Sequence, residues 1–302
     1  MTVLITGGNG LVASHLTALL IAKGHTVRLL SRNHFKHLTA EVFEWDIRSG
    51  YIEEGALDGV EVIIHLAGAG VAEHKWTEKR KKEIYDSRID STRLFYEVLS
   101  KRKQKPATFI CASAIGYYGY EPFSHWSKED DAEGKDFLAE VTIDWEKEAD
   151  KIADLGIRVV KPRIGLVLSS RGGALDKIAQ PIKWCVGAAL GSGNQICNWI
   201  HVDDLAAMIE YFMHNKATVG AYNAVGNDPV TNLRLTQLIA SALRRPLWMP
   251  NVPEFVLKIL LGEMAEIVLE GHHISNQKVI DSGFKFKFTS AEDAIKDILT
   301  SD

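Results

Sequence analysis

Two hydrophobic periodicities alternate along the first half of the chain. Short, nearly continuous apolar runs predict buried strands at Val3–Thr6, Thr26–Leu30, Val42–Trp45, Val60–Leu66, Thr108–Ala112 and Arg158–Lys161. Longer amphipathic stretches between them predict helices at Leu11–Lys23, Thr77–Lys101 and Asp136–Leu155. Strands rich in Val, Ile and Leu that alternate with helices indicate an α/β fold. We expect a Rossmann doubly wound parallel sheet with helices on both faces.

The pattern changes after about Ser169, where glycines interrupt the chain and predict a loop-rich stretch. Further helices are predicted at Asp203–His214, Leu233–Leu243, Pro253–Leu261 and Ala291–Leu299, with a short strand at Ala221–Ala224. Asp203 is predicted to cap its helix. We therefore expect a Rossmann core over residues 1–168, to which residues of about 195–225 return. Residues 169–302 are expected to form a smaller mixed, mainly helical cap for substrate.

Composition and charge exclude several classes of protein. The net charge of −4 over 302 residues provides no basic excess to neutralise phosphates, so nucleic acid is not an expected partner. No apolar run reaches the roughly 20 residues of a membrane span, and the N-terminus lacks a signal-peptide pattern. The cysteines, Cys111, Cys185 and Cys197, show no paired spacing. We expect a cytoplasmic protein with reduced thiols. No metal is predicted, because no His, Asp or Glu group has metal-ligand spacing.

The turn between the first strand and the first helix is the main candidate site. It reads Thr6-Gly-Gly-Asn-Gly-Leu-Val-Ala13. Gly7 permits a tight turn, Gly10 lets the backbone approach a pyrophosphate, and Ala13 allows the helix to pack closely on the strand. Free N–H groups at the start of the helix attract the phosphates. The predicted dinucleotide contacts are Gly7, Asn9, Gly10, Leu11 and Val12.

The next strands predict which dinucleotide binds. Folds that bind NAD usually carry Asp or Glu at the end of the second strand, whereas this chain has Ser31 and Arg32. A guanidinium can grip a 2′-phosphate that a carboxylate would repel, so NADP(H) is expected over NAD(H). Asp46 after the third strand can accept from the adenine amine. Small residues at Leu66-Ala67-Gly68 leave room for the ribose and pyrophosphate.

Further segments resemble one group of the extended short-chain dehydrogenase/reductase superfamily. They are His65-Leu-Ala-Gly68, Lys75-Trp76-Thr77, Ser87-Arg88-Ile89-Asp90-Ser91-Thr92, Ser113-Ala-Ile-Gly-Tyr-Tyr-Gly119, Phe137-Leu-Ala-Glu140, Trp145-Glu146, Arg163-Ile-Gly-Leu-Val-Leu168, Trp199-Ile-His-Val-Asp-Asp204 and Gly283-Phe-Lys-Phe286. Together they resemble atypical "epimerase family" proteins, similar in name to nucleoside-diphosphate-sugar epimerases. These proteins end in a small domain of undefined function, which would lie here at about 250–300.

The resemblance implies several contacts with the cofactor. The helix after the fourth strand would border the cleft, with Glu83 and Arg88 directed to the nucleotide. Ser113, Arg163 and Val167 would lie beside the cofactor at the ends of later strands. An exposed arginine with no ligand is the alternative interpretation of Arg88.

The superfamily's chemistry normally depends on a tyrosine followed four residues later by a lysine. No tyrosine of this chain has that lysine, and the helix that should carry the pair has Phe137 and Val141 instead. Ser113 follows the fifth strand and would face the expected nicotinamide, and Tyr117 and Tyr118 follow in the same loop. They are the candidate catalytic residues. The alternative is that both tyrosines only pack or form hydrogen bonds in the pocket wall.

Two functions stay open on the sequence. One is an NADP(H)-dependent oxidoreductase or isomerase that acts on an unidentified small polar metabolite, in a cleft between core and cap. The other is an NADP(H)-binding sensor or interaction protein without turnover, which the missing Tyr–Lys pair favours. Superfamily relatives often pair through helices that correspond to Thr77–Lys101 and Asp136–Leu155, so a homodimer is also open.

Overall fold

The computed structural model of the chain describes residues 1–120 and 125–300. Its strands are β1 (Thr2–Thr6), β2 (Thr26–Ser31), β3 (Glu41–Asp46), β4 (Tyr51–Ile52), β5 (Val62–His65), β6 (Thr108–Cys111), β7 (Ser113–Ala114), β8 (Arg158–Ile164), β9 (Leu166–Leu168), β10 (Ile196–Cys197), β11 (Trp199–His201), β12 (Gly220–Ala224) and β13 (Val230–Thr231). Its helices are α1 (Leu11–Ala22), α2 (Glu78–Lys101), α3 (Phe137–Lys151), α4 (Ala174–Lys183), α5 (Val202–His214), α6 (Asn232–Ala242), α7 (Glu254–Leu261), α8 (Glu266–Leu269), α9 (Gln277–Asp281) and α10 (Ala291–Thr300).

One large sheet dominates the part of the chain that the structure describes. Its strands run in the order β12-β8-β6-β5-β1-β2-β3-β4, with β7 beside β8. All pairs are parallel except β3 with β4. The chain order reverses between β1 and β5, and open α/β sheets bind their ligands at such a point. The predicted Rossmann fold is therefore confirmed.

Alternation of side chains along β1 explains why both faces of the sheet are covered. Val3 and Ile5 point into a core shared with α1 and α5, while Leu4 points into a second core on the opposite face. Because each face is apolar, each needs its own layer of helices. Two residues of the C-terminal region, Val279 and Phe284, also belong to the first core.

The cap has its own core, in which α4, α6 and α10 pack together around Trp199 and Leu235. Two small sheets, β9 with β11 and β10 with β13, connect it to the large sheet. Strand β12 follows α5 in the chain yet lies in the large sheet beside β8. Among the described helices, none has the length and apolar character needed to cross a bilayer.

Helix α4 differs from the predicted loop-rich stretch. Gly172, Gly173 and Pro181 suggest irregular structure, and proline disfavours a helix interior. The helix forms nevertheless because Leu175 and Ile182 lie on one face and are buried in the core of the cap. Tertiary packing thus outweighs local propensity at this point.

The predicted cap of α5 is also wrong in one detail. His201, not Asp203, is the capping residue, and its Nδ1 atom accepts from the Asp203 N–H at 3.1 Å. The Asp203 carboxylate instead contacts His15 of α1 at 2.6 Å and Lys287 of the C-terminal region at 3.1 Å. The neighbouring Asp204 carboxylate accepts from the backbone N–H groups of Lys287 and Phe288 at 2.7 and 3.0 Å.

Candidate functional site

The glycine turn lies at the carboxyl end of β1, beside the segment that follows β5. Gly7 has a φ of +71°, and its carbonyl accepts from the Gly10 N–H at 2.7 Å. A Cβ atom on Gly7 would lie 3.3 Å from the carbonyl oxygen of Leu66. Gly10 has no side chain to cap α1, so N–H groups of the first helical turn remain available to an anion.

A buried hydrogen-bond chain fixes the segment opposite this turn. The Thr6 hydroxyl accepts from the N–H groups of Leu66 and Ala67 at 2.9 and 3.0 Å and lies 2.9 Å from Nδ1 of His65. Burial lowers the pKa of His65 to about 3, so the ring is neutral. The pattern assigns the Thr6 proton to Nδ1 and the ring proton to Nε2, which donates to Ser91 at 3.0 Å. Neither Thr6 nor His65 was assigned this role from sequence.

Arg88 lies directly beneath the segment after β5. Its guanidinium donates to the Ala69 carbonyl at 3.0 Å and lies 5.3 Å from the ring centre of Trp145. A Cβ atom on Gly68 would lie 3.1 Å from the guanidinium carbon. Burial, together with the positive charge of Arg80, lowers the pKa of Arg88 to about 10. Gly68 is therefore required for Arg88 to support this segment from below.

Arg80 holds the next part of the same loop. Its guanidinium donates to the Gly70 carbonyl and contacts the carboxylates of Glu73 at 3.0 Å and Glu83 at 2.7 Å. In this structure Glu83 forms an ion pair with Arg80 and has no hydrogen bond to the described residues of the glycine turn. The contact of Glu83 with a nucleotide stays a prediction.

Polar side chains follow β2 and β3 at the same edge of the sheet. Ser31 ends β2, and the side chain of Arg32 is exposed, with no ion pair to any residue of the described ranges. Asp46 accepts from the Ser49 hydroxyl at 2.7 Å and from the Arg48 N–H at 3.0 Å. These hydrogen bonds, that of Ser49 first, lower the pKa of Asp46. The edge therefore offers an unpaired cation and an anion on neighbouring strands.

Other predicted cofactor contacts lie in the rest of the turn and in strand β9. Asn9 is exposed, while Leu11 and Val12 are half-buried. A Cβ atom on Gly173 would lie 3.4 Å from the Leu11 side chain, so the loop before α4 approaches the start of α1. Val167 lies in β9, opposite Ile200 of β11, and its cofactor contact stays a prediction.

A buried ionic cluster surrounds Glu146 of α3, where this helix packs on β7 and β8. Arg163 donates to both oxygens of this carboxylate, at 2.8 and 3.1 Å, and the Ser113 hydroxyl donates to it at 2.6 Å. Lys161 lies 3.3 Å away. Although burial raises the pKa of Glu146, the hydrogen bonds and charge of Arg163 outweigh burial and lower it. Glu146 was not assigned from sequence, where its only signal was the segment Trp145-Glu146.

The two adjacent tyrosines differ in their surroundings. Tyr118 is buried, and its hydroxyl donates to Asn223 at 2.7 Å and accepts from Arg163 at 3.0 Å. Burial raises the pKa of Tyr118. Tyr117 is half-buried, with the Arg163 guanidinium 3.4 Å from its ring centre, and its hydroxyl forms no hydrogen bond with another described residue. Of the two hydroxyls, that of Tyr117 is the one left for a ligand.

Two known families match separate parts of the chain. Residues 3–226 match the NAD dependent epimerase/dehydratase family, and residues 252–298 match a domain of unknown function, DUF1731. The chain is 37% identical to the epimerase family protein YfhF of Bacillus subtilis, over 99% of this chain and 98% of that protein. It is 35% identical to the chloroplastic SDR39U1 homolog of Arabidopsis thaliana, over 99% of this chain and 87% of that protein.

One solved structure is similar over its whole length. The crystal structure of human epimerase family protein SDR39U1 with NADPH superimposes with a TM-score of 0.89 at 28% identity, and the match covers 100% of both chains. The similarity therefore includes the C-terminal region as well as the sheet.

Proposed function

Because the chain belongs to the NAD dependent epimerase/dehydratase family, we propose that it binds NADP(H) and acts on a small polar metabolite as a reductase or epimerase. The observation that carries this proposal is the uncapped start of α1 at Gly10, with the unpaired Arg32 following the neighbouring strand. The pyrophosphate would bind at the start of α1. Arg32 would then meet the 2′-phosphate, and the NADPH in the human relative supports this choice.

The nicotinamide end would lie toward Ser113 and Tyr117. Bound NADP(H) supplies the hydride, so the chain must orient the substrate and hold a proton. Because the single proton of the Ser113 hydroxyl is donated to Glu146, Ser113 can only accept from a substrate hydroxyl. We assign the proton donor to Tyr117, because the Tyr118 hydroxyl is engaged by Asn223 and Arg163.

Replacing Arg32 with alanine tests the cofactor assignment. We expect NADPH to bind about 10–100-fold more weakly and NADH to bind as before, since a hydrogen bond to a charged group contributes about 1.5–3 kcal/mol. Fluorescence titration with each nucleotide measures both affinities. The matched control is Arg245→Ala, which removes an exposed arginine of the cap and should change neither affinity. An unchanged NADPH preference in Arg32→Ala would show that another group reads the 2′-phosphate.

Replacing each tyrosine with phenylalanine tests the proton donor. Turnover is first sought by following NADPH oxidation with a panel of carbonyl compounds and sugar nucleotides. We expect Tyr117→Phe to lower kcat by about 10²–10⁴-fold, the usual contribution of a positioned acid, with NADPH affinity unchanged. Tyr118→Phe should instead lower the melting temperature, because Asn223 loses a buried partner. Full activity of Tyr117→Phe would remove it from the mechanism.

The absent Tyr–Lys pair favours a second candidate function. Helix α3, which carries that pair in the superfamily, begins here with Phe137 and continues through Val141. Without a lysine to lower a tyrosine pKa, the cofactor would be held without turnover, as in a sensor of NADPH. Tight NADPH binding together with no oxidation by any member of the panel would favour this function.

A further inference from the structure

Three metal-ligating side chains meet at the edge of the sheet opposite the cofactor turn. His25 lies between α1 and β2, and Glu210 and His214 lie on the last turns of α5. One ligand atom from each lies within 4.8 Å of the other two. The two imidazole ring centres are 5.6 Å apart, and His214 Nε2 lies 3.3 Å from Glu210 Oε1. Three possible ligand atoms thus lie close together.

We propose that His25, Glu210 and His214 bind a divalent transition-metal ion, with Zn²⁺ as the preferred ion. Two imidazoles and one carboxylate form a common zinc ligand set, with bonds of about 2.0–2.2 Å. Ligand atoms on one tetrahedral ion therefore lie roughly 3–3.5 Å apart, and the three atoms of this cluster lie within 4.8 Å of one another. The spacing of four residues keeps Glu210 and His214 on the same helical face.

One ring nitrogen of His25 is available to bind a metal ion. The Nδ1 atom is buried and has no hydrogen-bond partner among the described residues. This nitrogen is therefore available to a metal ion, which histidine binds through its neutral ring.

Some charges around the cluster oppose a bound metal ion, and others attract it. Lys23 contacts Glu210 Oε2 at 2.9 Å, which leaves Oε1 facing His214. The Met1 amino group is a second cation near His25 and also opposes a metal. Helices α1 and α5 both end here, however, and the negative pole of a helix C-terminus attracts cations.

The cluster lies at a distance from the cofactor turn. Strands β1 and β2 begin at this edge, whereas the cofactor turn lies at their carboxyl ends. The ion would join the turn after α1 to the end of α5, two elements far apart in the chain. Local spacing alone predicted no metal for this reason, since only Glu210 and His214 are close in sequence.

Zinc titration of the chelator-treated protein tests the site. We expect one Zn²⁺ per chain by calorimetry, a rise in melting temperature on adding Zn²⁺, and visible absorption by bound Co²⁺ from a site with two nitrogen ligands. His214→Ala should weaken Zn²⁺ binding by at least about 10–100-fold, the loss seen when only an outer-shell partner is removed. It should also abolish the rise in melting temperature. The control is His74→Ala, an exposed histidine of the loop after β5, which should leave both readouts unchanged.

A second variant separates a metal site from a simple ion-pair cluster. Lys23→Met frees Glu210 Oε2 and removes a nearby cation, so we expect Zn²⁺ to bind more tightly. NADPH affinity should be the same in His214→Ala and Lys23→Met as in the wild type, because the cofactor turn is at the other edge. Equal Zn²⁺ affinity in the wild type and His214→Ala, or no rise in melting temperature in the wild type, would overturn the proposal.

Discussion

Replacing Arg163 with methionine should lower the free energy of unfolding by about 3–5 kcal/mol, the usual cost of leaving a buried charge without its partner. Glu146 and Arg163 expose only 7% and 4% of their side chains. Arg163 supplies two of the hydrogen bonds to this carboxylate, and its removal leaves Ser113 and Lys161 as the remaining partners. Urea unfolding followed by circular dichroism measures the loss.

Two controls define the origin of this loss. The double variant Arg163→Met/Glu146→Leu removes both charges and should recover most of the stability, because a buried ion pair can often be replaced by apolar residues. Lys147→Met breaks the exposed pair with Asp144 on the same helix and should cost less than about 1 kcal/mol. A loss below 1 kcal/mol in Arg163→Met would mean that Glu146 is satisfied without it.

The same cluster predicts a pH dependence. Because the folded pKa of Glu146 is lowered, its contribution is fully present above the unfolded carboxyl pKa of about 4.3 and is lost as pH falls through the folded value. The wild type should therefore lose stability below about pH 4. The double variant lacks this carboxyl, so its stability should decline less steeply over that range.

Replacing Gly10 with valine should weaken NADPH binding by at least about 100-fold. A Cβ atom there would lie 3.0 Å from the Gly7 carbonyl oxygen, so the turn must shift by a few tenths of an ångström. The rest of the valine side chain would also crowd the start of α1, where the backbone is expected to approach the pyrophosphate. Each hydrogen bond to a charged group contributes about 1.5–3 kcal/mol, and the loss of two exceeds a 100-fold change in affinity. Calorimetric titration with NADPH measures the effect.

The matched control for this variant is Ala22→Val, at the exposed far end of the same helix. It introduces the same side chain at the end of α1 away from the turn and should keep the wild-type affinity. Melting temperatures of both variants should stay close to each other, which separates lost binding from lost folding. If Gly10→Val binds NADPH within tenfold of the wild type, the pyrophosphate does not lie on this turn.

Strands and helices of the core were predictable because the local order of apolar and polar residues indicates which side chains are buried. The apolar run at Val3–Thr6 corresponds to β1, and the amphipathic stretch at Leu11–Lys23 corresponds to α1. Helix α4 was not predictable, because its glycines and Pro181 dominate the local pattern while its stability comes from contacts with α6. Short strands such as β9 and β11 were likewise not predictable, because each is stabilised by pairing with the other.

The candidate site likewise has one part that the sequence predicts and another that it does not. The turn at Gly7–Gly10 is a continuous motif, so its geometry could be anticipated. The cluster of Ser113, Glu146 and Arg163 depends on three elements that meet only when the sheet is assembled. No spacing in the sequence indicates that these three residues are in contact. The same reason applies to Thr6 and His65, which look like ordinary strand residues.

The two regions recognised by sequence comparison are not independent physical units. Val279 and Phe284 belong to the C-terminal region yet complete the core beneath β1 and α1, and Asp204 of α5 binds the backbone at Lys287 and Phe288. A chain shortened after the first region would expose that core to water. The C-terminal region of undefined role therefore already has one role that needs no ligand: it covers part of the core of the nucleotide-binding region and so stabilises it.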